Sequence, residues 1–131
     1  EVIGFNGIKN NGFDAVAVTG GTITSNGITG YAIYSEHGGS ISVSGGQLNG
    51  KLSAIYCNEM SACDINVTGG ALYSDDFFAI FNSGSGDLNV AGTAHVEGKT
   101  AASGGAIYYT GSGAFTIGGT AVVTSPTSWP E

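Results

Sequence analysis

One phrase recurs along the whole chain, and it constrains the fold more than any other feature of the sequence. An isoleucine returns every 22 to 27 residues, preceded in four of five copies by alanine and followed in four of five by an aromatic residue: Ile8, Ile33, Ile55, Ile80 and Ile107. A period in the twenties, kept over five copies, indicates a solenoid in which each repeat is one turn that packs on its neighbours.

Two further apolar positions repeat with the isoleucine. Pairs such as Ile41-x-Val43, whose second member lies ten to twelve residues after the isoleucine, show the alternation of a short strand with both side chains on one face. Glycines such as Gly45 and Gly46 then permit a sharp corner. A single aliphatic residue after the corner completes each repeat: Ile23, Leu48, Leu72, Val96 and Val123.

Three short strands per repeat predict an all-β fold, a single-stranded right-handed parallel β-helix of about five coils of 22–27 residues over residues 1–124. Successive coils are expected to lie about 4.8 Å apart, with like residues over like. The right-handed sense follows the general preference of parallel crossovers. Residues 125–131, with prolines at 126 and 130, break the pattern and are expected to cap the end or to extend to a neighbour.

The amino-acid composition and charge argue against several classes of partner. Charged residues make up 10% of the chain, against about 25% in typical soluble domains, so Ser, Thr, Asn and Gly must cover the exposed faces. The net charge is −7 and arginine is absent, which argues against nucleic acids and anionic membranes as partners. No apolar run approaches the roughly 20 residues that span a bilayer, so membrane insertion is not expected. Such a composition is typical of repetitive extracellular β proteins, and we expect a secreted or cell-surface location.

Two stretches, residues 39–48 (GSISVSGGQL) and 64–72 (DINVTGGAL), resemble the repeats of bacterial secreted β-helix proteins. This group includes calcium-associated carbohydrate-binding β-helix domains and adhesin-like surface proteins. Residues 103–107 (SGGAI) are also similar to the Gly-Gly-Ala-Ile motif of chlamydial polymorphic membrane proteins. The resemblance spans roughly residues 4–124 and implies an extracellular role at a surface or toward glycans.

The residue after each isoleucine is expected to face outward, because side chains alternate along a strand. Stacking of the coils then aligns four aromatic residues in a vertical ladder: Tyr34, Tyr56, Phe81 and Tyr108. The ladder could bind glycans, since an aromatic face suits the apolar face of a pyranose. It could equally be a structural stack that stabilises the sheet by cross-strand contacts. Both interpretations remain open from the sequence.

Stacking also predicts that Asp64 lies over Asp87 and that Asn66 lies over Asn89. Two carboxylates one coil apart repel each other unless they are hydrated, protonated or bridged by a cation, and Ca²⁺ prefers oxygen ligands of this kind. Asp75 and Asp76 lie in a loop nearby in sequence. The four aspartates are therefore candidate calcium ligands, and the alternative is a solvated acidic patch.

Cys57 and Cys63 are the only cysteines. Two cysteines cannot complete a Cys₄ zinc site, and a local disulfide that closes one loop is a candidate. The alternative is a pair of reduced thiols.

Catalysis has little support in the sequence. Pectate-lyase-like enzymes share the predicted fold, but their chemistry resembles calcium carboxylates plus a basic residue, and the three lysines here fall in different coils. Asp75 and Asp76 could mimic the carboxylates of a polygalacturonase-like hydrolase, yet adjacent strand residues point apart. We therefore expect no enzyme and no cofactor beyond possible Ca²⁺. The expected function is a structural or adhesive module of a bacterial surface or fibre that self-associates end to end. The alternative is a carbohydrate-binding module, and a polysaccharide lyase or hydrolase is a remote third.

Overall fold

The computed structural model describes residues 1–99 and 104–125, and all regular structure in these residues is β-strand. The chain passes repeatedly through three parallel sheets, which we name A, B and C. Sheet A contains β1 (Val2–Gly4), β4 (Thr22–Ser25), β7 (Gln47–Gly50), β10 (Ala71–Ser74), β13 (His95–Gly98) and β16 (Val122–Thr124). Sheet B contains β2 (Ile8–Asn10), β5 (Tyr31–Ser35), β8 (Ser53–Cys57), β11 (Ile80–Asn82) and β14 (Ile107–Tyr109). Sheet C contains β3 (Val16–Val18), β6 (Gly38–Val43), β9 (Ala62–Val67), β12 (Leu88–Val90) and β15 (Phe115–Ile117).

The register confirms the predicted coil. Each isoleucine of the repeat pairs with the isoleucine of the next coil, from Ile8 in the first coil to Ile107 in the fifth. The fold is thus a β-solenoid of about five turns, as predicted. Its right-handed sense stays a prediction. The described part of the chain holds no helix long and apolar enough to cross a membrane.

The interior is lined by the three apolar positions that the sequence pattern identified. In the middle coils these side chains are almost fully buried, with 0–1% of their surface exposed: Ile33, Ile41, Val43, Leu48, Ile55, Ile65, Val67, Leu72, Ile80, Leu88, Val90 and Val96. Burial of each such side chain stabilises the fold by roughly 1.5–3 kcal/mol, so the inward columns supply most of the hydrophobic free energy.

The corner between sheets C and A needs glycine in every coil. One glycine per corner adopts a positive φ between 60° and 87°: Gly21, Gly46, Gly70, Gly92 and Gly119. A Cβ atom at Gly70 would also lie 2.8 Å from the carbonyl oxygen of Gly46, one coil away. Both the backbone conformation and the close approach of coils therefore exclude larger residues at this position.

The corner between sheets B and C is closed from inside by a column of side chains at the last position of each sheet-B strand: Asn10, Ser35, Cys57, Asn82 and Tyr109. Ser35 Oγ donates to the carbonyl of Gly38 at 2.8 Å. Asn82 Oδ1 accepts from the Gly84 N–H at 3.0 Å. Four of the five members bind backbone groups of the turns, which satisfies polar groups that would otherwise be buried without partners, whereas Cys57 contacts the sulfur of Cys63.

The predicted division into residues 1–124 and a terminal segment 125–131 stays a prediction. Residues 126–131 lie outside the described part of the chain, as do residues 100–103. Ser125 itself is placed, and its Oγ accepts from the Ala106 N–H at 2.8 Å.

Candidate functional site

The predicted aromatic ladder is present on the outer face of sheet B. Lys9 occupies the corresponding position in the first coil, and the four aromatic residues follow in the next four coils: Tyr34, Tyr56, Phe81 and Tyr108. The ring centroids of Tyr34 and Tyr56 are 5.5 Å apart. Phe81 lies 4.8 Å from Tyr56 and 4.6 Å from Tyr108, with interplanar angles of 7° and 3°. Lys9 Nζ lies 5.7 Å from the ring centroid of Tyr34 and closes the lower end of the stack.

Three further rings, which the alternation pattern did not predict, contact the ladder. Tyr31 stacks on Tyr56 at 4.4 Å, Phe77 on Phe81 at 5.5 Å, and Phe78 tilts against Tyr108 at 5.2 Å. Tyr31 has the same parity as the inward Ile33, so alternation places it on the wrong side. Phe77 and Phe78 lie in the loop before β11. The signal that could have found two of them is an aromatic residue three positions before a ladder residue, as in Tyr31/Tyr34 and Phe78/Phe81.

The stacking geometry decides which ring surfaces are free. Two nearly parallel rings with centroids 4.6 Å apart cannot lie side by side in one plane, so they overlap face to face with an offset. Both faces of Phe81 are consequently covered, by Tyr56 on one side and Tyr108 on the other. Tyr108, at the upper end of the stack, is 37% exposed, whereas the other three ladder rings are half-buried. A sugar ring would therefore find an open face at Tyr108 and mainly ring edges elsewhere.

Burial raises the pKa of Tyr31 and of Tyr56 above the ordinary value of 10.0, and the negative charge of a neighbouring ionised tyrosine raises it further: that of Tyr56 at Tyr31, and that of Tyr34 at Tyr56. These two phenols therefore stay protonated at neutral pH. Neutral phenols can both donate and accept hydrogen bonds.

The outer face of sheet C carries the stacked polar residues. Asp64 Oδ1 accepts from the Asp87 N–H at 2.9 Å, and Asp87 Oδ1 accepts from the Ala114 N–H at 2.7 Å. Each carboxylate thus binds the backbone of the next coil just before its strand begins. This is a further way to accommodate stacked carboxylates, besides hydration, protonation or a bridging cation.

The predicted asparagine ladder is confirmed beside these carboxylates. Asn89 Nδ2 donates to Asn66 Oδ1 at 2.7 Å. Thr116 Oγ1 extends the ladder by donating to Asn89 Oδ1 at 2.7 Å. The outer face of sheet C is therefore tied from coil to coil by its own side chains.

Asp75 and Asp76 lie elsewhere, at the corner between sheets A and B. Lys51 Nζ is 3.1 Å from Asp76 Oδ2 and 3.8 Å from Asp75 Oδ2, and Lys99 Nζ is 3.3 Å from Asp75 Oδ1. The hydrogen bond to Asp76, together with its charge, raises the pKa of Lys51. Asp64 thus lies near Asp87, and Asp75 lies beside Asp76, but the two pairs occupy different parts of the surface.

Within residues 1–99 and 104–125, no group of three or more His, Cys, Asp or Glu side chains is placed to hold a metal ion. The calcium site stays a prediction, with Asp64 and Asp87 as one pair and Asp75 and Asp76 as the other.

Cys57 and Cys63 meet across the corner between sheets B and C. Both are buried free thiols, and their Sγ atoms are 2.7 Å apart. The hydrogen bond to Cys63 and burial both raise the pKa of the Cys57 thiol. Cys57 belongs to the corner-closing column, and its contact with Cys63 closes the turn between β8 and β9. The disulfide stays a prediction, and the structure places its two sulfur atoms together.

A surface depression of about 310 Å³ lies at the C-terminal end of sheet A, lined by Glu97, Gly98, Lys99, Thr124 and Ser125. The ammonium group of Lys99, which lines this depression, already lies 3.3 Å from Asp75 Oδ1.

No family model, no curated protein and no solved structure matches this chain. Its function must accordingly be argued from the geometry described above.

Proposed function

We propose that this chain is a non-catalytic structural and adhesive module of a bacterial surface or extracellular fibre, and that copies associate end to end. The observation that carries the proposal is that the polar and aromatic side chains on the outer faces contact neighbouring coils. The stacked aspartates and asparagines bind groups one coil away, with partners 23 to 27 residues apart in sequence. A ligand site usually needs a few polar groups that converge on a pocket, and here they connect coils along the axis.

The ends of the solenoid support association between copies. Phe115 and Ile117 occupy inward columns whose members in the middle coils are 0–1% exposed, yet they are themselves 45% and 52% exposed. Covering the exposed half of each side chain would contribute roughly 1 kcal/mol. In the part of the chain that the structure describes, the strands β14, β15 and β16 lie at the sheet edges and pair on one side alone. Unpaired backbone groups of an edge strand are a template for pairing with another chain.

The test is the mass of the purified chain measured by light scattering over a range of concentrations, with negative-stain electron microscopy of the same samples. The expected result is a mass that rises with concentration and threads of constant width. Ile117→Asp, which places a charge at the open end, should abolish the rise. Ser42→Asp, on the exposed outer face of sheet C, is the matched control and should leave it unchanged. A strictly monomeric chain at high concentration would refute end-to-end association.

A carbohydrate-binding role is the second candidate, and the exposed ring of Tyr108 favours it. Screening on a glycan array, with and without Ca²⁺, tests it directly. If sugars stack on the open end of the ladder, Tyr108→Ala should remove binding, while Tyr56→Ala should weaken it less because the Tyr56 faces are covered. Tyr73→Ala, on sheet A, is the control. An array without hits, or hits that survive Tyr108→Ala, would contradict this role.

A further inference from the structure

The three sheets do not contain the same number of strands. Within residues 1–99 and 104–125, sheet A has six strands, whereas sheets B and C have five each. The additional strand is β1, which precedes the first coil and pairs with β4. If the last coil of one copy continues sheets B and C of the next copy, β14 lies beside β2 and β15 beside β3. In that arrangement β16 of the first copy and β1 of the second copy would occupy the same place in sheet A.

The strands β1 and β16 are equivalent in register. Val2 begins the inward column of sheet A that continues through Ile23, and Val123 ends the same column beside Val96. Both strands contain three residues, and both place a valine at the inward position. A β16 strand from another copy could therefore pair with β4 as β1 does.

β1 is also weakly held. Val2 is 43% exposed and Ile3 is 57% exposed. Replacing β1 would remove one strand pairing of three residues, whereas the joint would create three: β16 with β4, β14 with β2, and β15 with β3. The joint would also cover the exposed apolar columns that end at Phe115 and Ile117.

Side chains at the two ends are compatible with this joint. Residues 104–125, which form the last coil, contain no Asp, Glu, Lys, Arg or His, so the edge lacks the charges with which proteins discourage edge pairing. In the continued register Lys9 would follow Tyr108 in the ladder. Its ammonium group already contacts the ring of Tyr34 at 5.7 Å, and it would then lie between two aromatic rings.

We propose that copies of this chain join by strand exchange, in which β16 of one copy displaces β1 of the next and pairs with β4. This inference rests on the proposed end-to-end association. A head-to-tail joint of this kind does not close on itself and produces a linear polymer.

A disulfide lock tests the exchange. Ile3 and Thr24 are direct partners in β1 and β4, and neighbouring strands lie within the range of a disulfide, so Ile3→Cys with Thr24→Cys should fix β1 in place when oxidised. The expected result is that the oxidised variant stays monomeric and that a reductant restores assembly. The control lock is Asn49→Cys with Tyr73→Cys, a partner pair in the middle of sheet A that should leave assembly intact.

Three further results are informative. Thr124→Cys with Thr24→Cys should give covalent ladders between copies on a non-reducing gel, and deletion of residues 1–5 should lower the concentration needed for assembly. Lys9→Ala should weaken association roughly two- to fivefold. If the oxidised Ile3–Thr24 lock assembles as well as the native chain, strand exchange is wrong although end-to-end association stands. If the native chain never assembles, both proposals fail.

Discussion

Removal of one ring from the middle of the aromatic ladder should destabilise the fold by several kcal/mol. Phe81 is the most informative position, because it stacks on Tyr56 and on Tyr108 with interplanar angles of 7° and 3°. Phe81→Ala removes these two closely stacked contacts, the looser contact with Phe77 and the buried half of the side chain. Phe81→Leu removes the stacking but keeps much of the apolar surface, so the two variants separate the contributions.

The magnitude follows from the contacts. Each well-stacked ring pair contributes about 0.5–1.5 kcal/mol beyond the area buried. Loss of the half-buried ring adds roughly 1–1.5 kcal/mol. Phe81→Ala should therefore lower the free energy of unfolding by about 2–4.5 kcal/mol, and Phe81→Leu, which loses the two stacked pairs, by about 1–3 kcal/mol. With an unfolding entropy of about 2.1 cal/mol/K per residue, Phe81→Ala lowers the melting temperature by roughly 7–16 °C.

Urea denaturation followed by circular dichroism measures these differences, and a double-mutant cycle isolates the stacking. Phe81→Leu combined with Tyr108→Leu should give a coupling free energy of about 0.5–1.5 kcal/mol. The control cycle pairs Phe81→Leu with Tyr73→Leu, on a different sheet, and should give none. A loss below about 1 kcal/mol for Phe81→Ala, or equal coupling in the two cycles, would refute a structural role for the ladder.

Three other outcomes are expected. Because the pKa of Tyr31 and Tyr56 is raised in the fold, the unfolded chain loses these protons first, and the melting temperature should fall as the pH rises above 10.0. Oxidised glutathione should join Cys57 and Cys63 with the loss of two hydrogen atoms, which mass spectrometry detects, and the bond should add about 2 kcal/mol of stability. Gly70→Ala should cost about 1–3 kcal/mol in urea denaturation, because φ is +78° and the preceding coil lies too close.

For each of these three predictions, one outcome would contradict it. A melting temperature that declines equally in native chain and Tyr31→Phe would show that this phenol is not responsible. Two free thiols that remain in the folded chain after treatment with oxidised glutathione would favour the alternative of reduced cysteines. Gly118→Ala is the control for the glycine substitution, since nothing lies within 4 Å of its Cβ position. An equal loss of stability at Gly118 would show that the effect is not specific to the positive φ.

The repeated columns could be predicted from the sequence because a solenoid places residue over residue. Once Ile33 and Ile55 are aligned, alternation assigns most strand positions between them to the inside or the outside, and Ala54, which is buried beside Ile55, is an exception. The same alignment correctly placed Asn89 over Asn66. The coil spacing alone enforces these contacts, whatever the β-propensity of the individual residues.

The corners and loops could not be predicted in this way. Alternation applies only within a strand, so it gave no position for Phe77 and Phe78, and it misplaced Tyr31 at the start of β5. The role of Asp87 was also missed. Its carboxylate accepts from a backbone N–H just before a strand, and such bonds depend on where pairing begins. Strand boundaries are the least certain part of any sequence-based assignment.

The same contacts that hold the coils together determine how strongly copies should associate. Among the described residues, a middle coil is hydrogen-bonded to its neighbours on both sides, whereas the last coil, which includes Thr116, is bonded only to the coil before it. Joining two copies adds one such coil contact, but it also costs an estimated 4–15 kcal/mol of translational and rotational freedom that contacts within a chain do not lose. Displacement of β1 subtracts a further strand pairing. The joint should therefore be weaker than any contact inside the solenoid, and we expect rods that lengthen with concentration and shorten on dilution.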